Sequence, residues 1–282
     1  MKELEKKEVL IKKSRNNYFQ SFSRNFKFKL AISQEDKNRV YGLRYKVFCQ
    51  ELNGDMPQDR IRGLEYDHYD LRSILCFIEH ARTGIIAGCM RLIMPCIKDP
   101  CNLQRLSLED LVPAESYVSK LNPYIIPRNE LCEASRLAIS PLFRKNSKKN
   151  LCNQTEVNEL FTQKEIEDFS YLVVGLFLAT YALVGLTNRR HVYAFMEERL
   201  PRLLSRSGFY FDGVSKTIEF HGKRKVFYID HSQAEKEMHE SLKPLYKRIW
   251  QELEPQLAIL MKKQPKLANA SSPLAALVKA SV

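Results

Sequence analysis

From Phe169 to Thr187 the chain reads FSYLVVGLFLATYALVGLT, without a single charged side chain. A helix over this run is apolar nearly all round. It either crosses a bilayer, for which it is about long enough, or it is covered on every side by a sheet and other helices. Acids precede it and NRRH follows, as at a membrane boundary. Gly175, Gly185 and hydroxyl residues interrupt it, however, and 282 residues that are 44% hydrophobic can bury a full core. The expectation is a core helix packed under a sheet, with a lone membrane span as the alternative.

Other segments supply that sheet. FKFKLAIS alternates like a strand, and Ser33 with Asp36 makes a helix cap. Val40, Leu43, Val47, Phe48 and Leu52 then recur at helical spacing, predicting a helix over about 35–52 with Arg44 beside its apolar stripe. NGDMPQDRIRG reads as a loop. SILCFIEHA and IIAGCMRLIMP form a hairpin, and LCEASRLAIS is a third buried run, followed by a basic polar loop, RKNSKKN. After the apolar helix come a strand (HVYAFM), a helix stopped at Gly208, a short strand (FYF) and one more (IEFHGKRKVFYID). This order, β-α-β-β-β-α-β-α-β-β, predicts one α/β domain over 26–255, between a basic extension (1–25) and a flexible tail (256–282). No internal repeat is present.

The formal charge is +12, and residues 1–29 hold nine Lys or Arg against three Glu. Such an arm suits acidic partners or an anionic membrane surface. No helix-turn-helix, zinc-finger, RRM or KH signature accompanies it, so nucleic acid is not an expected partner. The seven cysteines include no CxxC pair and sit mostly in apolar runs, which fits a reducing cytoplasmic setting. The charged N-terminus shows no secretory h-region.

Three charges stand where a sheet should be dry: Arg91 in CMRLIM, and Glu133 and Arg136 in CEASRLAIS. Each costs several kcal/mol unless paired. The nearest free acids are Glu65, Asp67 and Asp70 in LEYDHYDLRS, and Arg44 adds a third arginine. Three arginines and four carboxylates are therefore expected to meet in one network of formal charge near minus one. Convergence on this scale suits a functional site better than a structural ion pair. A lone His68 among irregularly spaced acids does not argue for a metal, and none is expected.

LRYKVF, GLEYDHYD, AGCMRLIMP and EASRLAIS, in this order, resemble the N-acyl amino acid and N-acyl-homoserine lactone (autoinducer) synthases of the GNAT acyltransferase fold. From about Phe26 to Trp250 the chain looks most similar to PEP-CTERM/exosortase system-associated acyltransferases. The combination of R-x-x-x-F, E-x-D-x-x-D, G-x-x-R-L and E-x-S-R is specific, although each piece alone is weak. The pattern falls on Arg44, Phe48, Asp67, Asp70, Arg91, Glu133 and Arg136. The tryptophan that the autoinducer synthases carry shortly after the first helix has no counterpart, since Trp250 is the only one here.

The resemblance implies a mixed, twisted sheet of about seven strands flanked by helices, with two strands splayed around a thioester's pantetheine arm. It implies Glu133, Arg136 and Arg91 as catalytic residues, with Glu133 the base, and Arg44, Phe48, Asp67 and Asp70 as substrate-binding residues. A regular pleat sends Glu133 and Arg136 to opposite faces, so a shared cleft requires a bulge. Cys132 reads as packing. The stretch PLFRKNSKKNLCNQ has no glycine, unlike the phosphate loops that hold coenzyme A. This favours an acyl carrier protein over acyl-CoA as co-substrate, contacted by Arg144, Lys145, Lys148 and Lys149. No tightly bound cofactor is expected.

The implied reaction is fatty acyl transfer to the amine of an amino acid or related small molecule. One alternative is autoinducer synthesis from S-adenosylmethionine. Another is a non-catalytic, basic module on a membrane or nucleic acid. The expected setting is cytoplasmic, with peripheral contact at the inner membrane through the basic arm as a variant.

Overall fold

The computed structural model describes residues 21–95, 104–144 and 154–268. Alternating burial along Phe26–Leu30 makes β1 a half-buried strand. The Ser33 hydroxyl then accepts from the Asp36 amide at 3.0 Å and caps α1, Gln34–Arg44. The predicted single helix over 35–52 is in fact two: Tyr45–Glu51 continues in π-helical form, closed by Leu52 N to Val47 O at 3.1 Å. Such wide turns recur at functional sites, and this one carries Phe48 directly after the buried Arg44.

The short strand β2 (Gln58–Asp59), inside the segment read as a loop, pairs with β3 (Leu64–Glu65) at the start of the acidic stretch. The main sheet follows with β4 (Ser73–His80), β5 (Ile86–Ile93), β6 (Leu131–Ile139), β7 (His191–Glu197), β8 (Asp212–Gly213), β9 (Ile218–Glu219) and β10 (Lys223–Asp230). Its order is β1-β4-β5-β6-β7-β10-β8, with β9 also on β10, giving eight strands where about seven were expected. The FYF segment is not a strand, because pairing begins at Asp212. IEFHGKRKVFYID is two strands, β9 and β10, turned at His221 and Gly222, both at positive φ.

The apolar run resolves as α4 (Gln163–Asp168), a 3-10 turn and α5 (Leu172–Leu186), after two shorter helices, α2 (Leu108–Leu111) and α3 (Gln154–Leu160). By length and composition Gln163–Leu186 could cross a membrane, but 72% of its apolar window is buried inside the protein. The two glycines in the run explain how. A Cβ on Gly175 would lie 3.0 Å from the Phe22 ring, and one on Gly185 would lie 2.8 Å from Trp250. Both are places where a bulky partner packs on the helix backbone.

After β7 come α6 (Arg199–Ser205), α7 (His231–Glu237) and α8 (Lys243–Lys263). Helices α5 and α8 share the main core with Phe22, Ile74 and Ile78, while α1 packs its Val40 and Leu43 with Leu75 and Phe77 in a separate cluster on the sheet. Each fully buried Leu or Phe there contributes about 1.5–3 kcal/mol.

Both expected domain boundaries shift. Phe22 is buried, so the folded part begins before residue 26. Leu257, Leu260 and Met261 are buried on α8, so it continues past 255. The extension before 21 and the tail after 268 lie outside the described residues.

Candidate active site

Among the described residues, strands β6 and β7 are the only parallel pair in the main sheet, and they stay in register only from Leu131–His191 to Glu133–Tyr193. Beyond that point they part. The opening forms a cleft of about 470 Å³, lined among others by Phe48, Ser107, Glu133, Arg136, Phe177 and Phe195. A small apolar pocket sits behind it and shares Ala134, Phe177 and Ala194 with it. The predicted bulge is present. Arg91 pairs with Ser135 and Cys89 with Ala138, so Arg136 and Leu137 together face Met90 alone. Arg136 takes φ 56°, a left-handed conformation that costs an L side chain about 1–2 kcal/mol.

The acidic stretch after β3 organises itself before it meets any arginine. Asp67 caps the turn His68–Arg72, accepting from the Tyr69 amide at 2.9 Å, and Asp70 accepts in return from the Asp67 amide at 2.8 Å. With their carboxylates fixed, these residues join Glu65 in a closed ring with three arginines. Asp67 meets Arg91 at 2.6 Å and Arg136 at 3.1 Å. Arg136 meets Glu65 at 3.1 Å, and Glu65 meets Arg44. Arg44 grips Asp70 with two nitrogens at 2.7 and 3.1 Å, and Asp70 returns to Arg91 at 3.3 Å. Arg44, Glu65 and Arg91 are completely buried.

Rings brace the cations. Tyr41 lies 5.3 Å from Arg44, Tyr69 5.9 Å from Arg91, and Phe48 5.9 Å from Arg136. Burial alone would raise the Asp70 carboxyl, but Arg44 and Arg91 outweigh it and hold it below the usual range. For Arg136, burial and the neighbouring Arg91 pull the guanidinium below its ordinary value against the attraction of Glu65.

Glu133 corrects one expectation: it stands apart from the ring. Its Oε1 accepts from the Ser107 hydroxyl at 2.5 Å and its Oε2 from the Leu108 amide at 3.1 Å, and no arginine lies within ion-pair distance of it among the described residues. The ring is therefore three against three and neutral, not one carboxylate in excess. Burial pushes the Glu133 carboxyl above the usual glutamate range, opposed by the Ser107 hydrogen bond and the field of Arg91. Ser107 was invisible as a functional residue in the sequence. It occupies the N-cap position of α2, yet its side chain makes no cap bond and serves Glu133 instead.

The structure brings Arg44, Phe48, Asp67, Asp70, Arg91 and Arg136 together, but of these it is Phe48 and Arg136 that line the cleft with Glu133, while Arg44, Asp67, Asp70 and Arg91 lie behind its wall. Arg144 is drawn elsewhere: both its terminal nitrogens bind Glu51, so it ties the segment after β6 to the π-helical turn. Lys145, Lys148 and Lys149 lie outside the described residues. The Cys132 thiol is fully buried and pushed up to about 12, which leaves it protonated and inert at neutral pH. A separate surface hollow of about 560 Å³, between α1 and the end of α8, touches the ring only through Asp70.

Residues 43–154 match the acetyltransferase (GNAT) domain family. The solved structure of TofI, in a ternary complex with an inhibitor and MTA, aligns at 16% identity over 73% of this chain and 91% of its own, with TM-score 0.51. BjaI, a CoA-dependent acyl-homoserine lactone synthase with SAM and isopentyl-CoA, aligns at 16% identity over 80% and 89%, with TM-score 0.49. FeeM, an N-acyl amino acid synthase from uncultured soil microbes, aligns at 11% identity over 77% and 96%, with TM-score 0.44. No curated protein sequence matches significantly.

The chain is thus similar to GNAT acetyltransferases over the residues that run from the end of α1 through the acidic turn and β6, on a sheet split at one parallel pair. More particularly, its fold is of the kind seen in TofI.

Proposed function

We propose that the protein transfers a fatty acyl group from a thioester, carried by acyl carrier protein or coenzyme A, to the amine of an amino acid or similar small molecule. The observation that carries this reading is the split between β6 and β7, with Glu133 and Ser107 in the cleft and an apolar pocket walled by Phe177 behind it. Beyond Glu133 the edge of β6 facing β7 has no strand partner. Its backbone N–H groups are thus available to a thioester carbonyl as charge develops on the oxygen.

The chemistry follows from the positions. The acceptor amine loses a proton to Glu133, directly or through the Ser107 hydroxyl, which passes its own proton to Oε1. The amine nitrogen bonds to the thioester carbon while the carbonyl electron pair moves to oxygen. That pair returns as the carbon–sulfur bond breaks, and the proton held by Glu133 neutralises the departing thiolate. No covalent enzyme intermediate is needed. A raised carboxyl suits this exchange, since its proton affinity lies nearer those of its partners. The ring of ion pairs holds Arg136 and Phe48 at the cleft wall, where they bound the acceptor.

The absence of glycine in PLFRKNSKKNLCNQ favours the carrier protein as donor, and the motif pattern supports a role of the PEP-CTERM/exosortase-associated kind. Autoinducer synthesis from S-adenosylmethionine is the less favoured reading, because no tryptophan follows α1.

The test is release of free thiol from dodecanoyl-carrier protein and dodecanoyl-CoA in the presence of each amino acid, with products read by mass spectrometry. Amine-dependent release that Glu133→Gln lowers about a hundredfold is expected. Release that no amine accelerates, with either donor, would overturn the reading.

A further inference from the structure

The cleft has a second charged corner, away from the ring. Arg224 on β10 stands opposite Glu197 on β7 in the antiparallel register, and both line the cleft with Arg199 and His221. Glu197 is already engaged, because Arg199 Nε lies 2.8 Å from its Oε2. Arg224 reaches the other oxygen only at 3.9 Å, beyond hydrogen-bond length. The Arg224 Nε is buried and has no hydrogen-bond partner among the described residues, while the side chain as a whole is 26% exposed.

Two guanidinium groups thus share one carboxylate, which leaves an excess positive charge and an unused donor on the cleft wall. Burial pulls the Arg224 guanidinium below its ordinary value against Glu197, and Arg199 adds to the fall. A buried donor without an acceptor costs about 1–3 kcal/mol, a cost that a bound anion removes. The planar fork of arginine matches a carboxylate in particular.

We infer that Arg224 anchors a carboxylate of the acceptor, so that the amine acylated in this cleft belongs to an amino acid and not to a neutral or cationic amine. This rests on the amine-acylation reading above and narrows it. Glu133 pairs with Tyr193 and Arg224 with Glu197, so four residues of β7, roughly 13 Å of strand, separate their registers. Both residues line the one cleft, so an acceptor held in it presents its amine toward Glu133 and its carboxylate toward Arg224. The acyl chain then turns into the apolar pocket behind Phe177.

The test is calorimetric titration of the full-length protein with two product-like probes, N-dodecanoylglycine and N-dodecanoylglycinamide, which differ only in charge at the carboxyl end. Wild type is expected to bind the acid about tenfold more tightly than the amide, the scale of one charge-assisted hydrogen bond. Arg224→Gln should erase that preference with the amide affinity unchanged, which also reports that the variant is folded, and Arg224→Lys should restore part of it. Equal binding of both probes by wild type, or a preference that survives Arg224→Gln, would overturn the anchor while amine acylation stands. Failure of wild type to bind either probe would overturn the acylation reading and the anchor with it.

Discussion

A ring of three buried carboxylates and the lone buried carboxylate of Glu133 stand near one another, and they are built on opposite terms. In the ring, Glu65, Asp67 and Asp70 each bridge two arginines, so charge is matched by charge. At Glu133 a hydroxyl and a backbone amide take the place of cations. The first arrangement depresses proton affinity, as at Asp70, and the second raises it. Asp70, held below its usual range by Arg44 and Arg91, stays ionised near neutral pH and keeps its geometry. A desolvated carboxylate with only neutral donors can exchange protons. The contrast assigns order to one cluster and reaction to the other.

The comparison breaks most visibly at Arg44. Arg44→Met leaves Glu65 and Asp70 each short of a buried partner, and removal of one member of such a pair costs about 3–5 kcal/mol. Urea unfolding should show that loss, with a matching fall in soluble yield; a change below about 1 kcal/mol would mean the ring is not closed in solution. Glu133→Gln should do the reverse. It keeps an acceptor for the Leu108 amide and the shape of the side chain, so the melting temperature should hold within a few degrees while kcat/KM falls about a hundredfold, the lower range for a lost general base. Full activity in that variant would return Glu133 to a purely structural role.

Arg136 sharpens the contrast on a smaller scale, since it belongs to the ring yet sits on the bulge that opens the cleft. Arg136→Ala and Arg136→Gly lose the same ion pairs and differ only in backbone. In a regular strand the glycine variant is the weaker by about 0.5–1 kcal/mol. At φ 56° the order inverts, and Arg136→Gly should be the more stable by roughly 1 kcal/mol. Thermal unfolding of the pair reads this directly, and the ordinary order would show that the bulge is absent.

What was legible beforehand follows the range of the interactions. Arg91 and Arg136 inside apolar strands announced their need for partners, and the acids that answer them lie close in sequence to β4. The bulge was legible only through the family resemblance, which implied one cleft for Glu133 and Arg136 where a two-residue period would part them. The Glu133–Ser107 contact was not, because it joins residues 26 positions apart through a short helix whose serine imitates a cap. Helix α8 was not foreseen at all, since the expected element order ends at the last strand; it runs on through Pro255 and buries Leu257, Leu260 and Met261 against the core. The glycines of the apolar run looked like interruptions and are packing contacts for Phe22 and Trp250, which lie far away in sequence.

The subtlest difference between the two clusters is a slope with pH. Glu133 has a folded-state proton affinity above its unfolded value near 4.5, so the folded protein binds more protons there than the unfolded chain. Its contribution to stability is therefore complete below that value and is lost as pH rises through the higher folded-state one. Asp70 runs the other way: its carboxyl lies below 3.8 when folded, and its contribution is present above that value and lost in acid. Glu133→Gln cancels the first term alone. The stability of the variant minus that of wild type, measured by urea unfolding at a series of pH values, should rise above pH 4.5 and level off once Glu133 is ionised in both states. The acid limb of the wild-type rate profile should fall in the same window, because the base acts only when deprotonated. A difference that stays flat with pH would mean that Glu133 is solvated or ion-paired in solution, and the two clusters would then differ in shape and not in chemistry.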